Sequence, residues 1–499
     1  MIYKCALNTD YFLSILFKFF KGMYFFMMFD TSVQELKYRV LREVAKLAFN
    51  DELEEGILGI AETVVPGPQP TMRCCIYKER AIVNERVKMA MGQGKTNKVI
   101  EVLPIACDEC PVDGIQVSQA CRGCIAHRCM NACPKDAIHV VDHKAVIDKT
   151  KCVECGRCMA VCPYSAIVKN ERPCVRACKP KAISIDENRC AQINEEKCVE
   201  CGACVYQCPF GAITDKSYIL DTIDILKNSE NNTKYQTFAI VAPSISGQFN
   251  TEIGKVVSGI KALGFYNVLE AALGADMTAY REASELVEKG FLTSSCCPAF
   301  VRYIETQFPT VAPHISHNLS PMAELARYVK KHNPDCKVVF IGPCTAKKSE
   351  ARKESVRQYV DNVITFEELQ ALFDAKGVTL ENQPVDVLDN ASYYGRIFAR
   401  TGGLSDAVKE ALSEMQITED VFKLKPVVCD GLEQCKTALL KASKNVLQEN
   451  FIEGMACVDG CIGGPACLTH GPKDKLAVDK YGKEAAEKTI SDAIYVLKL

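Results

Sequence analysis

Cysteine spacing constrains this chain more than any other feature. Seventeen of its 29 cysteines fall between Cys107 and Cys208. Two stretches, KCVECGRCMAVCP (Cys152, Cys155, Cys158, Cys162) and KCVECGACVYQCP (Cys198, Cys201, Cys204, Cys208), repeat the pattern C-x2-C-x2-C-x3-C-P. That spacing holds 4Fe–4S cubes. A secreted disulfide scaffold is the competing reading, but such scaffolds are short chains that cannot build a core. With 499 residues and a 48% apolar fraction, this chain can fill the cores of more than one domain. Its thiols therefore read as metal ligands in a reducing, anaerobic cytoplasm. The net charge of −2 shows no basic excess, which argues against nucleic acid as a partner.

Composition shifts divide the chain into four parts. Residues 1–30 are apolar and aromatic, but Lys18 and Lys21 interrupt Tyr11–Phe29. Two lysines near the centre of a spanning helix are costly, so a membrane span is disfavoured. An interfacial segment, a segment packed on the protein, and translated upstream sequence with a start at Met27 or Met28 remain open. The last is preferred. Residues 31–100 read as helical, with Thr31 or Ser32 as N-cap and a helix over Ile82–Gly94. Residues 101–225 form the cysteine-rich domain. KNSENNTK (Lys227–Lys234) reads as a linker, and residues 235–499 alternate strand-like runs (Lys234–Ile245, Lys337–Gly342) with helical ones (Ala275–Lys289). The expected fold is an α/β domain of two lobes, an α+β ferredoxin-like domain and a helical N-terminal segment.

Near-copies of C-P-x-x-A-I close four half-motifs at Cys133, Cys162, Cys178 and Cys208, an internal repeat implying two tandem ferredoxin-like units. In bacterial two-cluster ferredoxins the fourth cysteine of each run ligates the other cube. By that rule Cys152, Cys155 and Cys158 share a cube with Cys133. Cys121, Cys124 and Cys129 share one with Cys162, although C-x2-C-x4-C is two residues longer than the standard run. Cys198, Cys201 and Cys204 take Cys178. Three cubes follow, and a fourth stays open: Cys174 and Cys208 remain as metal ligands, with Cys107, Cys110 and Cys190 as candidate completions. Cys107 and Cys110 are equally compatible with a zinc half-site or free thiols. Cys74 and Cys75 are unassigned. Cubes in series let single electrons hop from surface to interior.

A second group of nine cysteines, Cys296 to Cys467, follows no such rule. Three segments carry six of them: TSSCCPAF (Thr293–Phe300), GPCTAKKSEA (Gly342–Ala351) and EGMACVDGCIGGPACL (Glu453–Leu468). Together and in this order they resemble the signature segments of iron–iron hydrogenases, over about residues 100 to 499. The resemblance implies an H-cluster: a 4Fe–4S cube joined through a cysteine sulfur to a two-iron unit bearing carbon monoxide, cyanide and a bridging dithiolate amine. By motif position Cys297, Cys344, Cys457 and Cys461 hold the cube, with Cys461 bridging. Thiolates are soft donors suited to iron. Met455 matches a methionine packed on the two-iron unit. Lys347 matches a lysine that hydrogen-bonds cyanide, while Lys348 beside it reads as solvated.

Cys296 precedes a ligand and so points elsewhere. Its position in the family relays protons to the bridging amine, and a thiol with a tunable pKa suits that task. Glu282, Glu285, Ser316 and Glu350 match the family's other relay positions, giving a path Glu285–Ser316–Glu282–Cys296. Departures from better-known members are Gly342 for methionine, Phe300 for tryptophan, Met322 for glutamine and GGP (Gly463–Pro465) for GGG. Cys429, Cys435 and Cys467 are extra.

The family reading implies interconversion of protons, electrons and dihydrogen, with ferredoxin or a similar low-potential carrier as electron partner and hydrogenase maturation proteins as assembly partners. No GxGxxG dinucleotide site is present. A sensory relative with low turnover is the alternative, and Cys296 counts against it. An assembly protein lacks a complete set of two-iron contacts, whereas Cys461, Lys347 and Met455 are all present here and the cubes are too numerous; a pure electron carrier leaves Cys297, Cys344, Cys457 and Cys461 unexplained.

Overall fold

The computed structural model describes residues 28–111, 114–495 and 497. Most of the apolar N-terminal stretch therefore lies outside the described residues. Among those described, no helix is long and apolar enough to cross a membrane.

The helical region opens with Ser32–Phe49. Its N-cap Thr31 accepts the Gln34 N–H through its hydroxyl, and its buried face includes Tyr38, Leu41 and Val44. This face lies against helix Phe366–Lys376. A second helix spans Ile76–Ala90 rather than Ile82–Gly94. It starts early because Cys75 caps it, its Sγ accepting the Lys78 N–H at 3.5 Å. It ends before Gly92, whose φ of +74° breaks the helix.

The cysteine-rich part consists of two similar units, one nested inside the other. In the inner unit Ile100–Val102 pairs antiparallel with Ile213–Asp215, and Ile183–Ile185 pairs with Ala191–Ile193. The outer unit repeats this plan: Gly114–Val117 pairs with Ile167–Asn170, and Ile138–Val141 with Lys144–Ile147. The outer unit lies wholly between Cys110 and Cys174. It is an insertion into the inner unit's first cysteine run, and its two ends are held together by the Gly114–Asn170 pairing.

Beyond the inner unit the chain is built on two parallel sheets. One has the order Asn267–Glu270, Thr237–Val241, Lys337–Gly342, Asn362–Thr365. The other has the order Leu292–Thr293, Phe451–Met455, Pro426–Asp430. Apolar runs such as Thr237–Val241 are buried along their whole length, as strands covered on both faces require. Helix Ile219–Asn228, which straddles the sequence boundary at residue 225, packs through Ile219, Ile223 and Leu226 into the same core as the four-stranded sheet. The expected linker after it is a tight turn. Glu230, Asn231 and Asn232 all take positive φ, Ser229 is buried, and Asn232 donates to the Gly264 carbonyl.

Candidate active and cluster sites

All three signature segments start at the carboxyl ends of parallel strands: after Leu292–Thr293, after Lys337–Gly342 and after Phe451–Met455. Loops at that edge of an α/β sheet converge on a crevice. Cys297 and Cys344 cap the helices Pro298–Gln307 and Thr345–Glu350, and Cys461 opens a short 3₁₀ turn. The four sulfurs are neighbours. Burial, then Cys344, Cys297, Cys201 and Cys461 in turn, push the Cys457 thiol well up. Burial, then Cys344 and Cys297, push Cys461 to about 12. Cys461 is exposed, whereas Cys297, Cys344 and Cys457 are half-buried. Four neighbouring soft donors, one of them open, fit a cube with a further group on the Cys461 side.

Beside this set lies a group centred on Glu282. Glu282 is completely buried, and its Oε1 accepts from Ser295 N and Ser295 Oγ at 3.1 and 3.0 Å. Its Oε2 has no protein partner. Burial raises the Glu282 carboxyl to about 7 against the opposing Ser295 hydrogen bonds and the nearby Ser316 hydroxyl. Ser316 Oγ donates to Glu285 Oε2 at 2.9 Å. Burial would raise Glu285 too, but Lys289 at 2.6 Å, the His317 N–H and Ser316 outweigh it and lower its carboxyl. Cys296 is buried, and its thiol is pushed well up by burial and then by Glu282. Glu285, Ser316, Glu282 and Cys296 thus form one file, and Met455 packs with Cys296 in one apolar cluster.

Glu350 does not join that file. Three residues apart on one short helix, Lys347 and Glu350 share a face and pair at 2.6 Å. Lys347 Nζ also donates to Ser320 Oγ at 2.8 Å and to the Cys296 carbonyl at 3.3 Å. Burial works against its charge, but Glu350 more than compensates and raises the Lys347 pKa. Lys348 is not solvated. It is 1% exposed and pairs with Asp215 at 2.9 Å and Glu368 at 3.0 Å. Sequence reasoning missed Ser295, Ser320 and Glu453. The doubled serine of TSSCCP was the available signal for Ser295. Glu453, fully buried, accepts the Gly402 and Ser405 N–H groups and so fixes that turn beside the third segment.

The departures have local causes. A Cβ on Gly342 would sit 2.6 Å from the Phe340 ring, so that ring occupies the space a larger side chain needs. Gly454 has the same relation to Phe300, at 2.2 Å. Cys435 and Cys429 are buried neighbours, and Cys467 donates to the Ile462 carbonyl at 3.3 Å.

The accessory cysteines gather in fours. Cys121, Cys124, Cys129 and Cys162 line one hollow, and Cys133, Cys152, Cys155 and Cys158 line another. Cys204 has Cys201, Cys198 and Cys178 as its nearest thiols. Cys107, Cys110, Cys174 and Cys208 line a fourth hollow. Burial, then Cys208, Cys107 and Cys110, push the Cys174 thiol to about 11. Cys190 stays outside this set, its Sγ turned to the Pro104, Cys107 and Asn188 carbonyls.

The backbone treats these sets alike. The N–H groups of Ala137, Ala166, Ala182 and Ala212 donate at 3.2–3.4 Å to the sulfurs of Cys133, Cys162, Cys178 and Cys208, each four residues earlier. Ala145 donates to Cys121 as Ala191 does to Cys107. Among the described residues no three Cys, His, Asp or Glu side chains close on a single ion. Thiolates that each bind a different corner of a cube stand apart in this way.

The Cys201 thiol has Cys297 among its neighbours, so the 198–204 set adjoins the 297–461 set. Gly202, at φ +77°, lies against Pro465 of the third segment and Thr345 of the second.

Known proteins resemble this chain over much of its length. The family model for the C-terminal domain of the iron-only hydrogenase large subunit matches residues 235–465. A 4Fe–4S dicluster model matches residues 120–166, and a 4Fe–4S binding-domain model matches 191–214. Iron hydrogenase 1 of Clostridium pasteurianum is 30% identical over 411 residues, 69% of each chain. The periplasmic Fe hydrogenase large subunit of Nitratidesulfovibrio vulgaris is 30% identical over 66% of this chain and 86% of its own. A solved FeFe-hydrogenase of Chlamydomonas reinhardtii superposes with a TM-score of 0.47 at 20% identity, over 56% of this chain and 93% of that one. With 4Fe–4S domains leading into a matched large-subunit domain, this chain belongs to the iron-only hydrogenase family.

Proposed function

We propose that the chain is a hydrogenase that interconverts protons, electrons and dihydrogen. The observation that carries this reading is the buried Cys296–Glu282 pair above four convergent thiols, continued outward by Ser316 and Glu285. A sensor or an electron carrier has no need of such a file. Cys297, Cys344, Cys457 and Cys461 would hold the H-cluster cube, and Met455 and Lys347 would border the two-iron unit. When bound, that unit with its carbon monoxide, cyanide and dithiolate amine supplies the site where protons and electrons combine.

The protein's own part is proton delivery and electrostatics. Glu285 meets the surface beside Lys289 and His317 and passes a proton through the Ser316 hydroxyl to Glu282. Glu282, with a pKa of about 7, can both accept and release it near neutrality. The unpartnered Glu282 Oε2 is the acceptor or donor toward Cys296. Lys347, neutralised by Glu350, presents a cation suited to an anionic iron ligand without adding net charge.

Four accessory cubes complete the reading: three on the sets anticipated from spacing and one on Cys107, Cys110, Cys174 and Cys208. The N–H···S pattern repeated in both units supports the fourth. Low-potential electrons enter from a separate carrier in a reducing cytoplasm, and maturation proteins supply the two-iron unit.

Replacing Cys296 with alanine in matured protein tests the relay. Turnover should fall at least about a hundredfold, the scale of a lost general acid–base group, while the carbonyl and cyanide infrared bands persist. A variant that keeps the wild-type rate ends the assignment.

A further inference from the structure

We infer that the crevice between the inner unit and the second signature segment is a binding site for a small phosphate-class oxyanion, and that an anion bound there tunes the clusters on either side.

The crevice encloses about 190 Å³. Pockets for drug-sized ligands run to about 300–1,000 Å³, so this one suits a small ion and not a nucleotide. Three parts of the chain wall it. They are residues 97–99, the inner unit at Val199 and Glu200, and the helices Pro298–Gln307 and Thr345–Glu350 with Arg352 and Lys353 just beyond.

The charge it presents is one-sided. Lys98, Arg302, Arg352 and Lys353 line the crevice, and none has an ion-pair partner among the described residues. The two carboxylates on its wall are already engaged. Glu200, 3% exposed, accepts the Val99 N–H at 2.9 Å and the Ser349 hydroxyl. Glu350 pairs with Lys347 at 2.6 Å. Arg302 Nη2 donates to the Glu195 carbonyl at 3.1 Å, but its Nε–H is buried and has no acceptor. A buried donor without an acceptor is costly, and an anion in the crevice supplies one. The Arg352 guanidinium lies 3.5 Å over the Tyr218 ring, which holds it in place. Guanidinium forks match the oxygens of phosphate, and lysines add point charge. Two of each around one small space fit a multiply charged oxyanion.

Position supplies the consequence. Glu200 precedes Cys201, and Pro298 and Ala346 follow closely on Cys297 and Cys344. Negative charge added here lies between the 198–204 set and the 297–461 set. Net charge helps set a cluster's potential, so a bound anion makes these sets harder to reduce. Neither binding nor this shift requires the chain to turn over hydrogen.

Anaerobic calorimetric titration checks the site, with the full-length chain carrying its cubes but no two-iron unit, in phosphate-free buffer. Sodium phosphate should bind once per chain with a Kd of about 1 mM or tighter, and sodium chloride at equal ionic strength should not. Arg302→Gln combined with Arg352→Gln should weaken binding at least about tenfold, through lost charge-assisted contacts, at unchanged iron content. Lys98→Gln combined with Lys353→Gln leaves both arginines in place and should weaken it less, which keeps the test alive should the first variant misfold. Glycerol 3-phosphate as titrant separates the two sources of the group: tighter binding than inorganic phosphate assigns the site to a phosphate ester, weaker binding to the free ion. A reductive titration followed by electron paramagnetic resonance should give at least one cluster a lower midpoint with phosphate than without, in the unaltered chain only. Phosphate that binds no better than chloride, or that binds both variants as it binds the unaltered chain, overturns the site. Binding that moves no midpoint overturns the tuning.

Discussion

Glu282 is where burial changes the chemistry of a single side chain most usefully. Its carboxyl sits at about 7, raised by desolvation. A raised carboxyl favours the neutral form in the fold. Its contribution to stability is therefore complete below the ordinary carboxylate range and fades as pH rises through about 7. Infrared difference titration should show a protonated carboxyl stretch that disappears with a midpoint near 7 and is absent in Glu282→Gln. That variant should also lose at least about a hundredfold in turnover. Glu350→Gln should behave differently: it stands off the file, so the pH profile of turnover should keep its shape. The expected damage is to the Lys347 environment, read as shifted cyanide infrared bands. Had Glu350 been a relay member, as its motif position suggested, its loss would move the pH profile instead. The motif told which residue types gather at the site but not which of them touch. The i, i+3 pairing of Lys347 with Glu350 on a six-residue helix was decided by a helix boundary that the sequence does not display. Lys348 was misjudged for a related reason. Its partner Asp215 lies 133 residues away and on another unit, and no local pattern announces such a pairing.

At the scale of elements, local signals were legible where they were strong. The strand Lys337–Gly342 and the helix through Ala275–Lys289 stand where hydrophobic pattern put them. The helix Ile76–Ala90 began early because a cysteine, a rare cap, did the work usually given to serine or aspartate. Two glycines in equivalent cluster loops separate strain from contact. Gly156 and Gly202 share a left-handed φ, +75° and +77°. A Cβ at Gly156 meets nothing within 4 Å, whereas one at Gly202 would sit 2.5 Å from Pro465 and 2.6 Å from Thr345. Gly156→Ala should cost about 1–2 kcal/mol of left-handed strain and little else. Gly202→Ala should cost more and should part the inner unit from the second and third signature segments. Its mark would be slower electron transfer into the active site, measured as a larger loss of turnover with carrier than with a small viologen donor, while Gly156→Ala keeps the wild-type ratio. Equal ratios in the two variants would show that the Gly202 contact does not set the transfer distance.

Across the whole molecule, one polar seam ties three parts together. Lys37 of the first helix pairs with Asp215 of the inner unit and Glu367 of the α/β part, and Lys348 joins Asp215 to Glu368. Burial alone would raise the Asp215 carboxyl, but the two ammonium groups more than reverse that and hold it well below the usual range. Removing one side of such a buried group strands the other charge, a cost of about 3–5 kcal/mol. Lys348→Met should lower the temperature at which cluster absorbance is lost, whereas exposed Lys423→Met, whose pair with Glu419 lies in solvent, should not.

The nesting of the cluster units was hidden in the sequence for a simple reason. The inner unit's first run, Cys107, Cys110, Cys174 and Cys178, is interrupted after its second cysteine, so its spacing no longer matches the pattern. The four closing C-P-x-x-A-I segments did reveal two units, but chain order suggested they were tandem. Because Gly114 and Asn170 pair at the base of the insertion, its ends are already neighbours. Excision should therefore be tolerated: replacing residues 111–173 by two residues restores an unbroken C-x2-C-x2-C-x3-C run. The shortened chain should bind about eight fewer iron atoms, two cubes' worth. Turnover driven by viologen should survive, because the 107–208 and 178–204 sets remain beside the active site. Turnover driven by an acidic protein carrier should drop at least about tenfold, because residues 114–170 carry eight Lys and Arg against four Asp and Glu and that local excess, which attracts such a carrier, is gone. Loss of all cluster iron would show instead that the outer unit is required for the inner one to fold, and that the two are not independent modules.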